Sequence, residues 1–326
     1  MRVAVVGIGA IAPLHIRGIL GAGQEIAALC DIEIERCARA KEEFGLGAAL
    51  YSDFDTMIES EALDAVHICT PHYLHAPMIC KALGRGINVL SEKPVAINHE
   101  QLADIERAVN GSMAQLGVCF QTRYNETTQY IREFFKDKEI TSAYANLTWR
   151  RDKEYYSSGA WRGTWAQEGG GVMINQAIHS LDNLQWICGK PTKVLAHVSN
   201  NSLKDTIEVE DTAFAIFTLA NGGNFVLHAT NAAMHSFPLC LAFHSESDTL
   251  EVSAENVIIN GRCITKSNGQ PIFGKDEWGN GHAILIEKYY NCLHNGEKFP
   301  IDFYEAKTAV ELILKMYESE GREIEV

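Results

Sequence analysis

The sequence predicts an α/β protein in which a doubly wound parallel sheet is followed by a second domain of α+β type. Over residues 1–120, short apolar runs alternate with helical segments and the turns between them are short. Between about residues 192 and 262, strand-like runs follow one another without helices, as in an antiparallel sheet. We therefore predict two domains, residues 1–120 and residues 121–326.

Composition excludes several classes of partner and compartment. A net charge of −14 argues against nucleic acid or an anionic membrane as the main partner. The nine cysteines form no C-x-x-C pair, and several lie in apolar runs, so we expect buried free thiols in the cytoplasm. No run approaches the roughly 20 apolar residues of a membrane span. The first strand begins at residue 2, so no signal peptide is expected.

The chain opens on a strand that becomes a helix through a glycine-rich turn. Residues 3–6 are β-branched and apolar, which is typical of a strand buried on both faces. Gly7 permits a tight turn, Gly9 lets a pyrophosphate approach the backbone, and Ala12 lets the helix pack on the sheet. The helix N-terminus offers N–H groups to phosphates. This pattern predicts a dinucleotide site at Gly7, Gly9, Ala10, Ile11 and Ala12.

An acidic residue ends the second predicted strand. Residues 25–30 are apolar after the first position, and Asp31 follows them. A carboxylate there is placed to accept both ribose hydroxyls of an adenosine, and it would repel a 2′-phosphate. The sequence therefore favours NAD over NADP. The alternative is that Asp31 only caps the helix that begins near residue 32.

The remaining elements of the first half continue the alternation. Their predicted strands lie at residues 48–51, 65–69, 87–90 and 115–120, with helices near 32–44, 73–83 and 98–109 and a short helix that starts at residues 52–54. Ligands of such sheets bind beyond the carboxyl ends of the strands. The residues predicted to reach the cofactor from the fourth and fifth strands are Thr70, Pro71, His72, His75, Glu92 and Lys93.

In the second half of the chain the regular alternation of strands and helices ends. A polar, aromatic and glycine-rich segment at residues 155–171 has no clear period and is interpreted as a loop folded over a site. The dipeptide Gly222-Gly223 marks a hairpin turn. Helices are predicted at residues 126–135, 172–188, 282–293 and 304–317, and strands at 141–150, 193–199, 209–219, 224–231, 238–244, 249–253 and 257–259.

Two groups of residues are candidates for chemistry. Lys93 follows the fifth strand, where partial burial would lower its pKa and suit it to a reacting hydroxyl; Pro94 fixes the turn, as a cis bond in one interpretation. Asn175, His179 and Asp182 share one face of the predicted helix at 172–188. Three polar groups on an apolar helix face either a cleft or one another. The alternatives are a surface pair at Glu92-Lys93 and a core histidine at 179.

A metal centre is the competing chemical interpretation. The side chains of His72, His75, His179 and Asp182 are of types that bind metal ions, but their spacings in the sequence match no compact ligand motif. The sequence therefore predicts no metal.

Together these residues resemble the Gfo/Idh/MocA family, named after glucose–fructose oxidoreductase and inositol dehydrogenase. The match keeps the order and spacing of the family over most of the chain. It is carried by Gly7-x-Gly9-x-x-Ala12-x-x-His15, Thr70-Pro71 with His75, Glu92-Lys93-Pro94, Arg123-Tyr124-Asn125, Trp161-Arg162-Gly163, residues 169–182 and Gly281-His282.

The resemblance implies an N-terminal Rossmann domain and a C-terminal domain with a large, open, mainly antiparallel sheet that forms homodimer or homotetramer contacts. It also implies NAD(P)-dependent oxidation or reduction of a secondary hydroxyl on a sugar, glycoside or cyclitol. The family lysine falls on Lys93 and the family histidine on His179, but Asn175 stands where most members carry aspartate. Because asparagine cannot hold a proton, we hypothesise that His179 is the general base and Lys93 polarises the substrate oxygen.

This version of the motif is similar to members that act on hexopyranosides or nucleotide sugars, often at the 3-hydroxyl. The predicted substrate residues are Arg123, Tyr124, Tyr156, Trp161, Arg162, Trp165, Asn175 and His179, with Tyr155 beside them in the sugar-binding wall. The alternative for the aromatic residues is packing under a loop. Two rival functions use the same fold: an NAD-dependent glycoside hydrolase that oxidises transiently and eliminates, and a non-catalytic dinucleotide sensor.

Overall fold

A computed structural model describes residues 1–253, 256–265 and 280–326. These residues form two compact units. The first comprises residues 1–124 and 280–307, and the second comprises residues 125–253, 256–265 and 308–326. The predicted division at residue 120 stays a prediction.

The helices of the described chain follow the predicted order. They are α1 Ala12–Gly21, α2 Ile34–Glu43, α3 Phe54–Ser60, α4 His72–Gly84, α5 His99–Asn110, α6 Glu126–Phe134, α7 Lys153–Ser157, α8 Ile178–Cys188, α9 Gly281–Asn295 and α10 Phe303–Ser319. A 3₁₀ turn occupies Gln121–Tyr124, and a π-helical turn at Met173–Ala177 leads directly into α8.

The strands belong to two sheets. They are β1 Arg2–Val6, β2 Glu25–Cys30, β3 Ala49–Tyr51, β4 Ala65–Ile68, β5 Asn88–Ser91, β6 Leu116–Val118, β7 Ile140–Thr148, β8 Pro191–Ser199, β9 Thr212–Leu219, β10 Asn224–Thr230, β11 Cys240–Ser245, β12 Thr249–Ser253, β13 Asn256–Ile259, β14 Arg262–Thr265 and β15 Ile324–Glu325.

The first unit contains the predicted doubly wound sheet. Its six strands lie in the order β3-β2-β1-β4-β5-β6, and every neighbouring pair is parallel. The central strands β1 and β4 are buried at nearly every position, as their β-branched and apolar residues predict. Helix α9 packs on α1 so closely that a Cβ on Gly18 would lie 2.5 Å from Ile286 Cδ1. The prediction of a parallel, doubly wound fold is confirmed.

The second unit contains a nine-stranded sheet in the order β14-β13-β12-β11-β7-β10-β9-β8-β15. Among the described strands of this second sheet, β7 and β10 form the one parallel pair, and the other neighbouring pairs are antiparallel. Burial alternates along β7, β9 and β10, so one face of these strands is covered and the other is open. The prediction of a large, mainly antiparallel sheet is confirmed.

Three local predictions need correction. The segment 155–171 is not all loop, because Asp152 accepts a hydrogen bond from the N–H of Tyr155 and so caps the short helix α7. Strands β14 and β15 were not predicted, since each is very short and is held by pairing with β13 or β8. The helix predicted at 172–188 exists, but its first turn is π-helical.

Two further sequence expectations concern membranes and thiols. In the part of the chain that the structure describes, no helix combines the length and the apolar character needed to cross a bilayer. In the described part of the chain, none of the nine cysteines forms a disulfide, and Cys30, Cys37, Cys69, Cys119 and Cys292 are buried.

Candidate functional site

The glycine-rich turn after β1 has the geometry that a pyrophosphate needs. Gly7 has φ +83°, and a Cβ there would lie 2.7 Å from the carbonyl carbon of Cys69, so a side chain does not fit. By contrast, a Cβ on Gly9 would meet no atom within 4 Å. Gly9 and Ala10 are exposed immediately before the N-terminus of α1. The turn therefore presents open backbone to an anionic group.

Asp31 joins this turn to the end of β2. Its Oδ2 accepts the backbone N–H of Ile8 at 2.7 Å, and its Oδ1 accepts the N–H of Glu33 at 2.9 Å. The carboxylate therefore fixes the turn and also leads the chain towards α2, which begins at Ile34. Both sequence interpretations of Asp31 are compatible with this position. The residues present fit an adenosine ribose, because each carboxylate oxygen can accept more than one hydrogen bond.

Replacing Asp31 with alanine tests this assignment. We expect the Kd for NAD to rise about 10- to 100-fold, because hydrogen bonds to a charged group are worth about 1.5–3 kcal/mol. The Kd for NADP should rise less or fall, since the repulsion of a 2′-phosphate is removed. Titration of both cofactors measures the ratio. Equal losses for NAD and NADP would show that Asp31 serves only the turn.

The loop after β4 is tied to the loop after β5 by a buried histidine. His75 is 1% exposed, and its Nδ1 and Nε2 lie 2.7 Å from the carbonyl oxygen of Pro94 and 2.8 Å from that of Thr70. Burial lowers the pKa of His75, so the neutral ring donates to one carbonyl at a time. His72 lies beside it, with ring centroids 5.9 Å apart. The contribution of Thr70, Pro71, His72 and His75 to cofactor binding stays a prediction.

Lys93 lies at the carboxyl end of β5. The peptide bond between Lys93 and Pro94 is cis, as one interpretation of the sequence predicted. The side chain of Lys93 is half-buried, and the backbone N–H of Lys93 donates to Oε2 of Glu92 at 3.3 Å. Glu92 is 7% exposed. The lysine and its neighbour thus have different environments, and the acid belongs to the interior of the first unit.

A chain of hydrogen bonds explains how the interior accommodates this acid. His15 Nε2 lies 3.1 Å and His282 Nε2 lies 3.4 Å from Glu92 Oε1. His15 Nδ1 lies 2.8 Å from His67 Nδ1, and His67 Nε2 lies 2.8 Å from the Tyr290 hydroxyl. Burial alone raises the pKa of Glu92, but the adjacent His15 and His282 rings bring that pKa well below its ordinary value.

One proton arrangement satisfies this chain. Burial lowers the pKa of His67 far below its ordinary value, so the ring is neutral. In one tautomer assignment that fits these distances, Tyr290 donates to His67, His67 donates to His15, and His15 donates to the ionised Glu92. We name His15, His67, Glu92, His282 and Tyr290 the buried histidine network. It anchors Glu92, the residue before Lys93, to three secondary-structure elements of the first unit, α1, β4 and α9.

Among the described residues, one set of side chains has atoms close enough together to surround a metal ion. It consists of His15, Glu92 and Cys119, whose ligand atoms lie within 4.8 Å of one another. The hydrogen bonds of the buried histidine network already use the atoms of His15 and Glu92. These contacts satisfy the cluster without a cation.

Two of the predicted substrate residues lie at the end of the first unit. Arg123 is 3% exposed, and its Nη1 pairs with Glu305 Oε2 at 3.1 Å. Burial raises the pKa of the Tyr124 phenol to about 12. Both lie in the 3₁₀ turn that packs against α9. Their role in substrate binding stays a prediction.

In the second unit, the helix that carries Asn175 and His179 starts under a buried acid. Glu210 accepts the backbone N–H groups of Gly171 and Met173 at 2.8 and 3.0 Å and the Tyr317 hydroxyl at 3.0 Å. A Cβ on Gly171 would lie 1.9 Å from the carbonyl oxygen of Glu210, so only glycine fits. The acid therefore fixes the N-terminus of the π-helical turn.

Burial raises the pKa of Glu210 to about 7, although its N–H and hydroxyl donors lower it. In the unfolded chain the same group has a pKa of 4.5. The folded state therefore holds a proton that the unfolded state releases between these values. The resulting contribution to stability is full below pH 4.5 and is lost as the pH rises through about 7.

Glu210→Gln should remove this dependence. We expect the free energy of unfolding of the wild type, relative to the variant, to fall by about 3 kcal/mol as the pH rises across that window. Urea unfolding at a series of pH values measures the difference, with the exposed Glu208→Gln as the matched control. Parallel pH profiles for the wild type and Glu210→Gln would contradict the assignment.

The polar stripe predicted on this helix is only partly exposed. Asn175 and His179 are half-buried, whereas Asp182 is 0% exposed and accepts a hydrogen bond from Gln185 Nε2 at 3.2 Å. Asn175 lies in the π-helical turn and His179 in the first turn of α8. Such widened turns are frequent at functional sites. Asn175 and His179 are therefore the accessible candidates of the stripe.

A cluster of aromatic and polar side chains lies beside Asn175. The Tyr155 hydroxyl oxygen lies 2.6 Å from Arg162 Nη1, 3.1 Å from Gln176 Nε2 and 3.3 Å from Asn175 Nδ2. The Arg162 guanidinium also stacks over the rings of Tyr155 and Trp161, 4.5 Å from each centroid. The Tyr155 oxygen therefore accepts from side chains of three residues at the start of this helix and the segment before it.

The other two aromatic candidates differ in exposure. Tyr156 is 5% exposed, packs with Ile207 and Val209, and accepts a hydrogen bond from Asn231 Nδ2 at 3.0 Å. Trp165 is 44% exposed, and its Nε1 donates to the carbonyl oxygen of Glu208 at 3.1 Å. A ligand can reach Trp165 more readily than Tyr156. Their assignment to the sugar-binding wall stays a prediction.

Comparison with known proteins identifies the family. A sequence model described as an oxidoreductase family with an NAD-binding Rossmann fold, GFO_IDH_MocA, matches residues 1–120. The model of the GFO/IDH/MocA C-terminal domain matches residues 128–255. The chain belongs to the Gfo/Idh/MocA family. The first unit is thus an NAD-binding Rossmann domain, and the resemblance seen in the sequence is confirmed.

Several Gfo/Idh/MocA relatives have assigned activities. D-glucoside 3-dehydrogenase of Escherichia coli (strain K12) is 26% identical over 242 residues, which cover 68% of each chain. An inositol 2-dehydrogenase of Rubrobacter xylanophilus is 25% identical over 262 residues, which cover 77% of this chain and 71% of that protein. The WlbA dehydrogenase of Bordetella pertussis, solved with NADH and UDP-GlcNAcA, superposes with TM-score 0.86 at 27% identity and covers 100% of this chain and 98% of its own.

Some residues of this Gfo/Idh/MocA member were not recognised in the sequence. Glu168 and Glu210 are 1% and 2% exposed and contact the helix of Asn175 and His179, and His67 lies inside the buried histidine network. The signal for His67 was a histidine within an apolar strand, where an unsatisfied ring would be costly. The two acids carry no such local signal, because each lies in a polar segment.

Proposed function

We propose that this protein is an NAD-dependent dehydrogenase that oxidises a secondary hydroxyl of a sugar, with the 3-hydroxyl of a hexopyranoside as the preferred position. One observation supports it above the others: Lys93 lies at the carboxyl end of β5, in the same parallel sheet whose β1 and β2 ends carry the glycine turn and Asp31. Ligands of doubly wound sheets bind at that edge. A lysine at that edge would lie near the nicotinamide ring of bound NAD and near the substrate hydroxyl that reacts with it.

The proposed chemistry divides between two side chains. Bound NAD supplies the hydride acceptor. His179 takes the proton of the substrate hydroxyl, and Lys93 donates a hydrogen bond to the same oxygen, which polarises it. Asn175 cannot take a proton, so His179 is the accessible proton acceptor on this face of the helix. Reduction of the ketone uses the same two groups in reverse.

The substrate class is supported by the relatives and by the aromatic cluster. D-glucoside 3-dehydrogenase of Escherichia coli carries the 3-position in its name, and the WlbA dehydrogenase was solved with a nucleotide sugar. In this chain, Trp161 and Trp165 offer aromatic faces of the kind that pack on pyranose rings, and Arg162 offers donors for a hydroxyl or phosphate.

Self-association through the nine-stranded sheet is part of the proposal. Tyr144 on β7, Val226 on β10 and Ile216 on β9 stand side by side in register, and Leu195 on β8 continues the row. Tyr144 and Ile216 are 39% and 36% exposed, and Phe214 nearby is 41% exposed. An apolar row of this kind supports a homodimer or homotetramer contact.

The cysteine thiols, none of which forms a disulfide in the described residues, support the cytoplasm as the compartment.

The test is incubation of the protein with NAD and a panel of hexosides, nucleotide sugars and inositols while the absorbance of reduced cofactor is recorded. We expect reduction of NAD with a hexopyranoside, and NMR of the product should show a ketone at C3. Release of an aglycone without net reduction would favour the hydrolase instead. Binding of NAD with no turnover of any panel member would favour the sensor.

A further inference from the structure

A buried carboxylate of the second unit determines which way the Asn175 amide faces. Glu168 is 1% exposed; its Oε2 accepts the backbone N–H of Gly163 at 2.5 Å, and its Oε1 accepts a hydrogen bond from Asn175 Nδ2. The Asn175 Nδ2 also lies 3.3 Å from the hydroxyl oxygen of Tyr155. Both of these neighbours of Nδ2 are acceptors. The amide is therefore held with its nitrogen towards Glu168 and Tyr155 and its oxygen on the opposite side.

We propose that Glu168 is a positioning residue that holds the Asn175 oxygen as an acceptor for a hydroxyl of the sugar substrate. This inference rests on the proposed dehydrogenase function and adds a specificity element to it. It also explains the asparagine at position 175. An aspartate there would place a second carboxylate against the buried carboxylate of Glu168, and like charges at that distance disfavour ionisation of both.

Hydrogen-bond complementarity makes the pair testable. Glutamine at position 168 has one carbonyl oxygen, which the N–H of Gly163 takes, so its amide nitrogen faces position 175. Two amide nitrogens would then face each other, and Asn175 would have to turn its oxygen towards residue 168. Aspartate at position 175 removes this conflict, because it accepts from the glutamine and keeps a second oxygen for the substrate.

The experiment is a double-mutant cycle on the full-length protein with the hexoside and NAD that the panel identifies. We expect Glu168→Gln and Asn175→Asp each to lower kcat/KM for the sugar by about 10- to 100-fold, the size of a lost hydrogen bond to a charged group. The double variant should recover to within about tenfold of the wild type, which is strong coupling. Exposed Glu154→Gln and Asn224→Asp serve as matched controls with no expected change.

Two further readouts separate positioning from a loss of folding. Asn175→Asp should regain activity as the pH falls, because one proton shared between two carboxylates relieves their repulsion, and the double variant should lack this trend. The midpoint of thermal unfolding should fall in each single variant and recover in the double variant.

The outcomes distinguish this inference from the function on which it rests. If the wild type oxidises the sugar but the two substitutions are simply additive, the pairing of Glu168 with Asn175 is wrong and the dehydrogenase stands. The same holds if Glu168→Gln keeps full activity. If the wild type oxidises no member of the panel, the proposed function fails and the role towards substrate fails with it, whatever the thermal midpoints show.

Discussion

Replacing Lys93 with methionine is expected to lower kcat for sugar oxidation by about 10²- to 10⁴-fold, the range for loss of one group that assists proton transfer. Methionine keeps an unbranched chain of similar length and removes the ammonium donor. The reacting oxygen then loses its polarising hydrogen bond while the cofactor turn is untouched. Steady-state kinetics with saturating NAD and sugar measures kcat, and a titration measures the Kd of NAD.

The matched control is Lys81→Met. Lys81 lies on α4 of the same unit and pairs with Asp55 at 2.6 Å on the surface, where exposed ion pairs contribute little. The Lys81→Met substitution should leave kcat unchanged. We expect the Kd for NAD to change by less than about tenfold in Lys93→Met, because in our proposal the turn and Asp31 carry most of that binding. A variant that binds NAD normally and oxidises sugar at the wild-type rate would remove Lys93 from the mechanism.

The sequence was sufficient where the signal is local. The turn at Gly7 and Gly9, the acid at Asp31 and the Lys93-Pro94 step each follow a strand within a few residues, so periodicity and turn chemistry place them. The parallel sheet follows from the same alternation, since short connections between strands and helices leave few topologies. The structure confirms this parallel sheet.

The sequence was insufficient where partners come from distant parts of the chain. Glu92 follows Ser91 in an apparently ordinary turn, but His15 on one helix hydrogen-bonds to it and His282 on another lies 3.4 Å from it. Glu168 and Asn175 are close in sequence, yet their contact depends on how the intervening glycines fold. The π-helical turn at Met173–Ala177 has the same apolar pattern as an α-helix, so no period reveals it. Tertiary pairing, rather than propensity, decides all three.

The second large effect is expected at His179. Alanine there should lower kcat by about 10²- to 10⁴-fold, because the substrate hydroxyl loses its proton acceptor. Asn175 cannot replace it, since an amide accepts a hydrogen bond but takes no proton. Exogenous imidazole should restore part of the activity, because the cavity left by the side chain admits the missing base. The exposed His197→Ala on β8 of the same unit is the matched control and should keep full activity.

The pH dependence separates a base from a binding group. In the wild type, kcat/KM should fall towards acid pH as the general base becomes protonated, and this limb should be absent from His179→Ala. A variant that raises KM with kcat and the acid limb intact would assign His179 to substrate binding alone. If His179→Ala kept near-full turnover while Lys93→Met lost it, the two roles would be exchanged. Lys93 would then be the base, and the asparagine at position 175 would have no bearing on proton transfer.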